Sequence, residues 1–185
     1  LNDFDHKDVA PFRRILGPSA DPLVDRIFYW TNGQPLMVQR MAEEIYSLSR
    51  REQTIEFVDN FVRTKYLNVQ IERDTHLSFI QDYLLDEKRN TKILLNTYKT
   101  ILNEFPIQHD EKSPVHTRLL LSGVAKVKNG ILMSRNRIYE NVFDHQWINE
   151  VIQRSGLVIN DASSYVDTKV AKGKSKSTHM IGSQV

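Results

Sequence analysis

The strongest constraint in this sequence is the Asn129-Gly130 pair, which lies within the segment Val124 to Arg135. A type I′ turn needs positive φ at both central residues, and Asn-Gly supplies this more readily than other pairs. The turn also sets the register, because Lys128 then pairs with Ile131. One face of the hairpin is therefore predicted to be core, and the other to be a basic, partly apolar wing. The wing face carries Lys126, Lys128, Ile131, Met133 and Arg135.

A helix is predicted immediately before this hairpin. Ser113 and Pro114 are typical of an N-cap and a first helical position, and Gly123 is well placed to end the helix in the left-handed conformation. Helical spacing of apolar residues also precedes Pro106. A winged helix consists of two helices and then a third helix that leads into a hairpin. The sequence predicts this order from about Thr75 to Phe143.

The N-terminal part has the apolar period of a helical bundle. Asp21-Pro22 is expected to begin a helix that ends near Gly33, and Pro35 is expected to open the next helix, so that the two meet at a sharp corner. The stripes behind this prediction are Leu23, Val24, Ile27 and Phe28 in the first helix, and Val38, Met41, Ala42 and Ile45 in the second.

The fold class that follows is mainly α, with a small helical bundle and then a winged helix with one β-hairpin. With 185 residues, the chain is long enough for one ordinary domain or two small ones. We expect a lid-like bundle over 1–72, a winged-helix domain over 73–160 and a basic tail over 161–185. The tail is rich in Lys, Ser and Gly, which is typical of a flexible segment or of vector-derived sequence.

Charge is unevenly placed along the chain. Residues 163–185 hold Lys169, Lys172, Lys174 and Lys176 against Asp167, so the rest of the chain is slightly negative although the formal net charge is +2. Between Lys112 and Tyr139 there is no acidic residue, and this stretch holds Lys112, Arg118, Lys126, Lys128, Arg135 and Arg137. Such a stretch is either an ordinary solvated face or a contact surface for the phosphates of a nucleotide or nucleic acid.

The sequence lacks the residues that several kinds of chemistry require. Cysteine is absent, which excludes disulfides and thiol nucleophiles and favours an intracellular, cytoplasmic protein. No G-x-x-x-x-G-K-[ST] loop and no H-E-x-x-H pair occurs, so neither a complete P-loop enzyme nor a metal site is predicted. The longest apolar run is far below the roughly 20 residues that span a bilayer, so no membrane contact is expected.

Two motifs resemble those of a known family. Thr31-Asn32-Gly33-Gln34-Pro35-Leu36 is similar to the T-G-G-x-P helix corner in the lid of the AAA-like ATPase module of bacterial STAND proteins, the signal transduction ATPases with numerous domains. The segment from Leu119 to Val124, followed by Arg135-Asn136-Arg137-Ile138-Tyr139-Glu140, resembles the winged-helix signature of that module, which ends in R-N-R-I-Y-E. The resemblance runs from Leu1 to about Ile152, with Asp5 to Leu16 similar to the helix that follows the nucleotide-binding core.

The resemblance implies a role for specific residues. In that family the corner proline packs against adenine, which carries over to Pro35, and Gly33 would allow a close backbone approach. Arg135 or Arg137 would contact the nucleotide phosphates when the winged helix closes. Plain helix initiation by Pro35 and an ion pair or cap from Arg137 are the structural alternatives. Asn32 stands where the family has glycine, although asparagine tolerates left-handed geometry.

The function implied is that of a regulatory switch element without catalytic residues. Leu1 instead of methionine suggests an excised or proteolytic piece of something longer, whose P-loop core would be the partner that completes an ADP or ATP site. An effector domain or self-association would provide the output. Two alternatives stay open. A nucleic-acid-binding winged helix would use Arg118, Lys126, Lys128 and Arg135, and an interaction scaffold would present Ile131 and Met133.

Overall fold

A computed structural model describes residues 3–5, 7–17, 20–49, 51–86 and 91–154 of the chain. Within these residues the protein is mainly helical, with one small antiparallel sheet, which confirms the predicted fold class. The tail predicted over 161–185 lies outside the described residues. None of the described helices is both long and apolar enough to cross a bilayer.

The N-terminal part is a bundle of four α-helices: α1 (Ala10–Leu16), α2 (Ala20–Thr31), α3 (Pro35–Tyr46) and α4 (Ile55–Val62). A π-helical turn (Arg63–Leu67) and a 3₁₀ turn (Ile71–Arg73) follow. Helix α2 begins at Ala20, slightly before the predicted start at Asp21-Pro22, because proline is tolerated throughout the first turn, where backbone N–H groups lack intrahelical partners. The helix expected over Asp5 to Leu16 is shorter, since residues 7–9 form a turn.

The C-terminal part contains α5 (Thr75–Leu85), α6 (Thr91–Leu102), β1 (Ile107–Gln108), α7 (Pro114–Ser122), β2 (Ala125–Lys128), β3 (Ile131–Ser134), α8 (Arg137–Val142) and α9 (His145–Arg154). Helix α7 has the predicted caps: the Ser113 hydroxyl accepts from the His116 amide, and Gly123 is left-handed with φ 83°. Both ends of this helix are thus set by local sequence.

The hairpin has the predicted register. Lys128 pairs with Ile131, and both turn residues have positive φ, 53° at Asn129 and 76° at Gly130. The sheet has a third strand that the sequence did not predict, because β1 has only two residues and so shows no alternation. It pairs with β3, so the strand order is β1-β3-β2.

The predicted apolar stripes form the core. Val38, Met41, Ala42 and Ile45 are all buried, as are Leu23, Val24 and Ile27, whereas Phe28 is only partly buried. Buried residues of the bundle and of the winged-helix part belong to one contiguous apolar cluster. Helix α2 packs against α8 across the two parts, and this contact places the helix corner beside the winged helix.

Candidate functional site at the helix corner

The corner between α2 and α3 is built by local hydrogen bonds. Asn32 (φ 49°) and Gly33 (φ 80°) are both left-handed, and this reverses the chain directly after α2. The Thr31 hydroxyl donates to the Ile27 carbonyl over 2.8 Å and accepts from the Gly33 amide over 3.3 Å. Pro35 then opens α3, as predicted. Asparagine therefore sustains the turn at the position where the resembled family has glycine.

Gly33 lies against the N-terminal segment of this same chain. The Phe4 amide donates to the Gly33 carbonyl over 2.7 Å. A Cβ atom on Gly33 would lie 2.2 Å from the Phe4 carbonyl oxygen, so both the backbone conformation and the close approach require glycine. Pro35 is buried. The close backbone approach at Gly33 is thus made here by Phe4.

The corner contacts the R-N-R-I-Y-E motif, although the two motifs are about a hundred residues apart. The Asn32 side-chain amide donates to the Arg135 carbonyl over 3.0 Å. Asn136 Nδ2 donates to Gln34 Oε1 over 2.5 Å, and Gln34 Nε2 donates to the Tyr139 hydroxyl over 2.7 Å. The side chains of Gln34, Asn136 and Tyr139 are buried, so these hydrogen bonds satisfy groups that water does not reach.

Tyr139 is the centre of this buried cluster. Its hydroxyl oxygen lies 2.6 Å from His76 Nε2 at the start of α5. Its backbone amide donates to Asn136 Oδ1 over 2.9 Å, so that Asn136 is also the N-cap of α8. Burial raises the pKa of Tyr139 to about 12, because the phenolate would lose its hydration. The hydroxyl is therefore protonated and has one hydrogen to donate.

Arg135 and Lys126 share a single carboxylate. Arg135 Nη2 lies 2.6 Å from Asp3 Oδ1, and Lys126 Nζ lies 3.0 Å from Asp3 Oδ2. All three side chains are about one-fifth exposed. Two cations of the predicted basic wing are thus paired within the chain, and the N-terminal segment is tied to the wing as well as to the corner.

Arg137 is exposed and is held without a carboxylate partner among the described residues. Its Nη1 donates to the Tyr29 carbonyl over 2.8 Å, and its guanidinium carbon lies 4.2 Å from the centre of the Tyr29 ring. Such a cation–π contact orients the guanidinium without neutralising its charge. Of the two arginines predicted to meet phosphate, Arg137 is therefore the one with uncompensated charge.

Tyr29 itself is positioned by a second arginine. Arg26 lies 4.3 Å from the Tyr29 ring centre and forms two hydrogen bonds with Asp59 of α4, at 2.5 and 2.7 Å. Trp30 Nε1 donates to the same carboxylate over 2.8 Å. The hydrogen bond from Arg26 lowers the pKa of Asp59, so the pair is ionised at neutral pH. This paired group braces the end of α2, where Tyr29 contacts Arg137 of α8.

The remaining predicted contact residues lie away from the corner. Arg118 on α7 donates from Nε and Nη2 to the Tyr83 carbonyl, over 3.1 and 2.8 Å, so its guanidinium turns toward α5. Lys128 is exposed at the hairpin tip. Ile131 and Met133 line a cleft of about 460 Å³ together with Phe105 and Pro106. The structure brings Gly33, Pro35, Arg135 and Arg137 to one place and leaves these four elsewhere.

Sequence reasoning assigned no role to several participants in the corner network, among them Asp3, Tyr29, Gln34, His76, Asn136 and Tyr139. Gln34 lies inside the corner motif, and that position could have directed attention to it. Asp3 belongs to a short acidic segment, but its pairing with Lys126 and Arg135 has no local signal. His76 is remote from both motifs in sequence. No group of His, Asp and Glu in the described part of the chain could hold a metal ion.

Comparison with known proteins adds one relative. The chain is 28% identical over 145 residues to an uncharacterized WD repeat-containing protein of Synechocystis sp., and the match covers 74% of this chain. It spans only 12% of the length of that protein. No protein-family model matches the chain, and no solved structure matches it.

Proposed function

We propose that this chain is the regulatory lid and winged-helix part of a STAND-type P-loop ATPase, a nucleotide-dependent signalling switch. The observation that carries the proposal is that the corner motif and the R-N-R-I-Y-E motif share one buried hydrogen-bond network. A movement of the lid corner would therefore be transmitted directly to the winged helix. The matched relative is named for its WD repeats and is far longer than this chain, which agrees with a module inside a multidomain protein.

ADP or ATP would bind only when a P-loop core completes the site. The chain itself has no phosphate-binding loop, and its part would be to close over a nucleotide held by that core. Arg137 has the strongest support as the phosphate contact, because its guanidinium is exposed, oriented by Tyr29 and uncompensated. Arg135 has less support, since it is already paired with Asp3. A contact between Pro35 and adenine has the least support, because Pro35 is buried.

Nucleotide exchange would then shift the winged helix between two arrangements. Exchange can only move such an equilibrium if the nucleotide interacts differently with the two states. A phosphate contact from Arg137 in one state supplies that difference. The output would be a surface that becomes available for an effector domain or for self-association.

Calorimetry with ADP and ATP tests the proposal on this fragment and on the full-length parent protein side by side. We expect binding by the parent only. Loss of a charge-assisted hydrogen bond costs about 1.5–3 kcal/mol, so Arg137→Ala in the parent should weaken binding by about 10- to 100-fold. Arg135→Ala is the matched control and should weaken it much less. The proposal fails if the parent contains no P-loop or binds no nucleotide.

The nucleic-acid alternative has weaker support. Phosphate binding requires cations that are free to meet the backbone, whereas Lys126 and Arg135 are paired with Asp3 and Arg118 bonds to Tyr83. A DNA titration at two salt concentrations tests it directly, because binding through phosphates would fall steeply as salt rises. The scaffold alternative would use the cleft beside Ile131 and Met133.

A further inference from the structure

The hydrogen bonds of the corner run in one direction. The Tyr139 amide can only donate, so Asn136 Oδ1 must accept, and Asn136 Nδ2 then faces Gln34. Gln34 consequently accepts through Oε1 and donates through Nε2 to the Tyr139 hydroxyl oxygen. We call the chain of side chains Asn136, Gln34, Tyr139 and His76 the relay. Because each amide has one donor end and one acceptor end, a single fixed donor orients the whole relay.

The relay dictates the protonation state of His76. The Tyr139 hydroxyl already accepts from Gln34, so its own hydrogen is directed to the remaining neighbour, His76 Nε2, over 2.6 Å. Nε2 must therefore carry a lone pair, which is present only in the neutral ring with its proton on Nδ1. A neutral imidazole completes the relay, and an imidazolium does not.

The other groups around His76 do not favour a second proton. Burial lowers the pKa of His76 from its ordinary value of 6.5, and the charge of Arg40 on α3 lowers it further, whereas Asp74 opposes both. Arg40 and Asp74 also face each other, with Nη1 and Oδ2 3.7 Å apart. Tyr139 of α8, whose hydroxyl oxygen lies 2.6 Å from His76 Nε2, is a neutral phenol whose pKa burial raises.

Protonation of His76 would leave the relay with one hydrogen too many. An Nε2–H would point at the Tyr139 oxygen, and the hydroxyl hydrogen would then have no acceptor. If the Gln34 amide rotates to accept this hydrogen, its NH₂ group faces the NH₂ group of Asn136, and two donors meet. If Asn136 rotates as well, its oxygen no longer accepts from the amide at the start of α8. We propose that the relay is a pH-sensitive latch, which holds the helix corner to the winged helix while His76 is neutral and loosens when His76 takes a second proton. Every residue of the latch lies in this chain, so the proposal does not depend on the proposed nucleotide function.

The pH window follows from the direction of the shift. The unfolded chain takes up the proton near the ordinary value of 6.5, and the folded chain takes it up only at lower pH. The stabilisation by neutral His76 is therefore fully present above about pH 6.5 and is lost as the pH falls below it. Between pH 8 and pH 5 this one group can raise the unfolding equilibrium constant by at most about 30-fold, because pH 5 lies about 1.5 units below the ordinary pKa.

The first test compares urea unfolding of the wild type and of His76→Gln at pH 8 and pH 5. Glutamine can place a carbonyl oxygen near the position of Nε2, so it accepts from Tyr139 but does not titrate. We expect the unfolding equilibrium constant of the variant to change less between pH 8 and pH 5 than that of the wild type, by a factor of at most about 30, whereas His145→Gln, a matched loss of a histidine in α9, keeps the wild-type pH effect. An unchanged pH effect in His76→Gln would overturn the latch.

The second test separates the relay from simple burial and does not require His76→Gln to fold. NMR titration measures the pKa of the His76 ring in the wild type and in Tyr139→Phe. If the relay opposes protonation, this pKa rises toward 6.5 in the variant; if burial alone acts, it stays where it is and the proposal is wrong. In the wild type at pH 5, the Tyr139 amide should also lose hydrogen-exchange protection relative to the Phe57 amide, which donates to an N-cap that does not titrate.

Discussion

Replacing Asn136 by alanine is the sharpest probe of the contact between corner and winged helix. Asn136 is 2% exposed and acts twice: Oδ1 caps α8, and Nδ2 donates to Gln34 Oε1. Loss of an N-cap costs about 1 kcal/mol. A buried amide oxygen left without its donor costs about 1–3 kcal/mol more. We therefore expect Asn136→Ala to lower the free energy of unfolding by about 2–4 kcal/mol.

Thr54→Ala is the matched control for this substitution. Thr54 is also an N-cap whose side chain accepts from the amide three residues later, but it is exposed, and within the part of the chain that the structure describes its side chain makes no second hydrogen bond. Its loss should cost only about 1 kcal/mol. Urea denaturation at neutral pH measures both variants, and equal slopes would show that the unfolded states are comparable. If Asn136→Ala costs no more than Thr54→Ala, the buried hydrogen bond to Gln34 contributes nothing and the reasoning is refuted.

Two further substitutions probe the N-terminal segment. Gly33→Ala combines a left-handed backbone with a Cβ placed 2.2 Å from the Phe4 carbonyl oxygen, so it should destabilise more than Gly123→Ala, where the φ is similar but nothing lies within 4 Å. Thermal unfolding compares them, and Gly123→Ala alone should cost about 1–2 kcal/mol. Asp3→Asn removes the carboxylate shared by Lys126 and Arg135, and because the three groups are partly exposed we expect a loss of about 1–2 kcal/mol at low salt. The loss should shrink in high salt, as a salt series of urea titrations will show; a loss independent of salt would mean that packing, and not charge, holds the segment.

Most of the fold could be predicted from local sequence. The Asn129-Gly130 turn, the caps at Ser113 and Gly123 and the start of α3 at Pro35 all appear where the residue types require them. Each depends on the φ and ψ preferences of one or two residues, which neighbours along the chain barely change. Strand β1 was missed for the opposite reason: its two residues carry no period, and pairing with β3 is what makes them a strand.

Only part of the candidate site could be predicted from the sequence. The two motifs identified its location, and Gly33, Pro35, Arg135 and Arg137 do lie together there. The sequence could not show that Asp3 pairs with Arg135, nor that Tyr29 orients Arg137. A run of cations looks the same in a sequence whether its members face water or a carboxylate more than a hundred residues away.

The amino-acid sequence by itself determined both ends of α7, the start of α3, the place where the hairpin turns and the apolar side of the bundle helices. Those properties follow from backbone sterics and from the spacing of side chains along one element. Only the tertiary structure decided that Gln34, His76 and Tyr139 meet, because their contacts join the start of α3 to α5 and α8 and exist only once these helices pack around one core. The protonation state of His76 is decided at the same level, since a single hydrogen-bond donor on α8 orients the relay that ends on its ring.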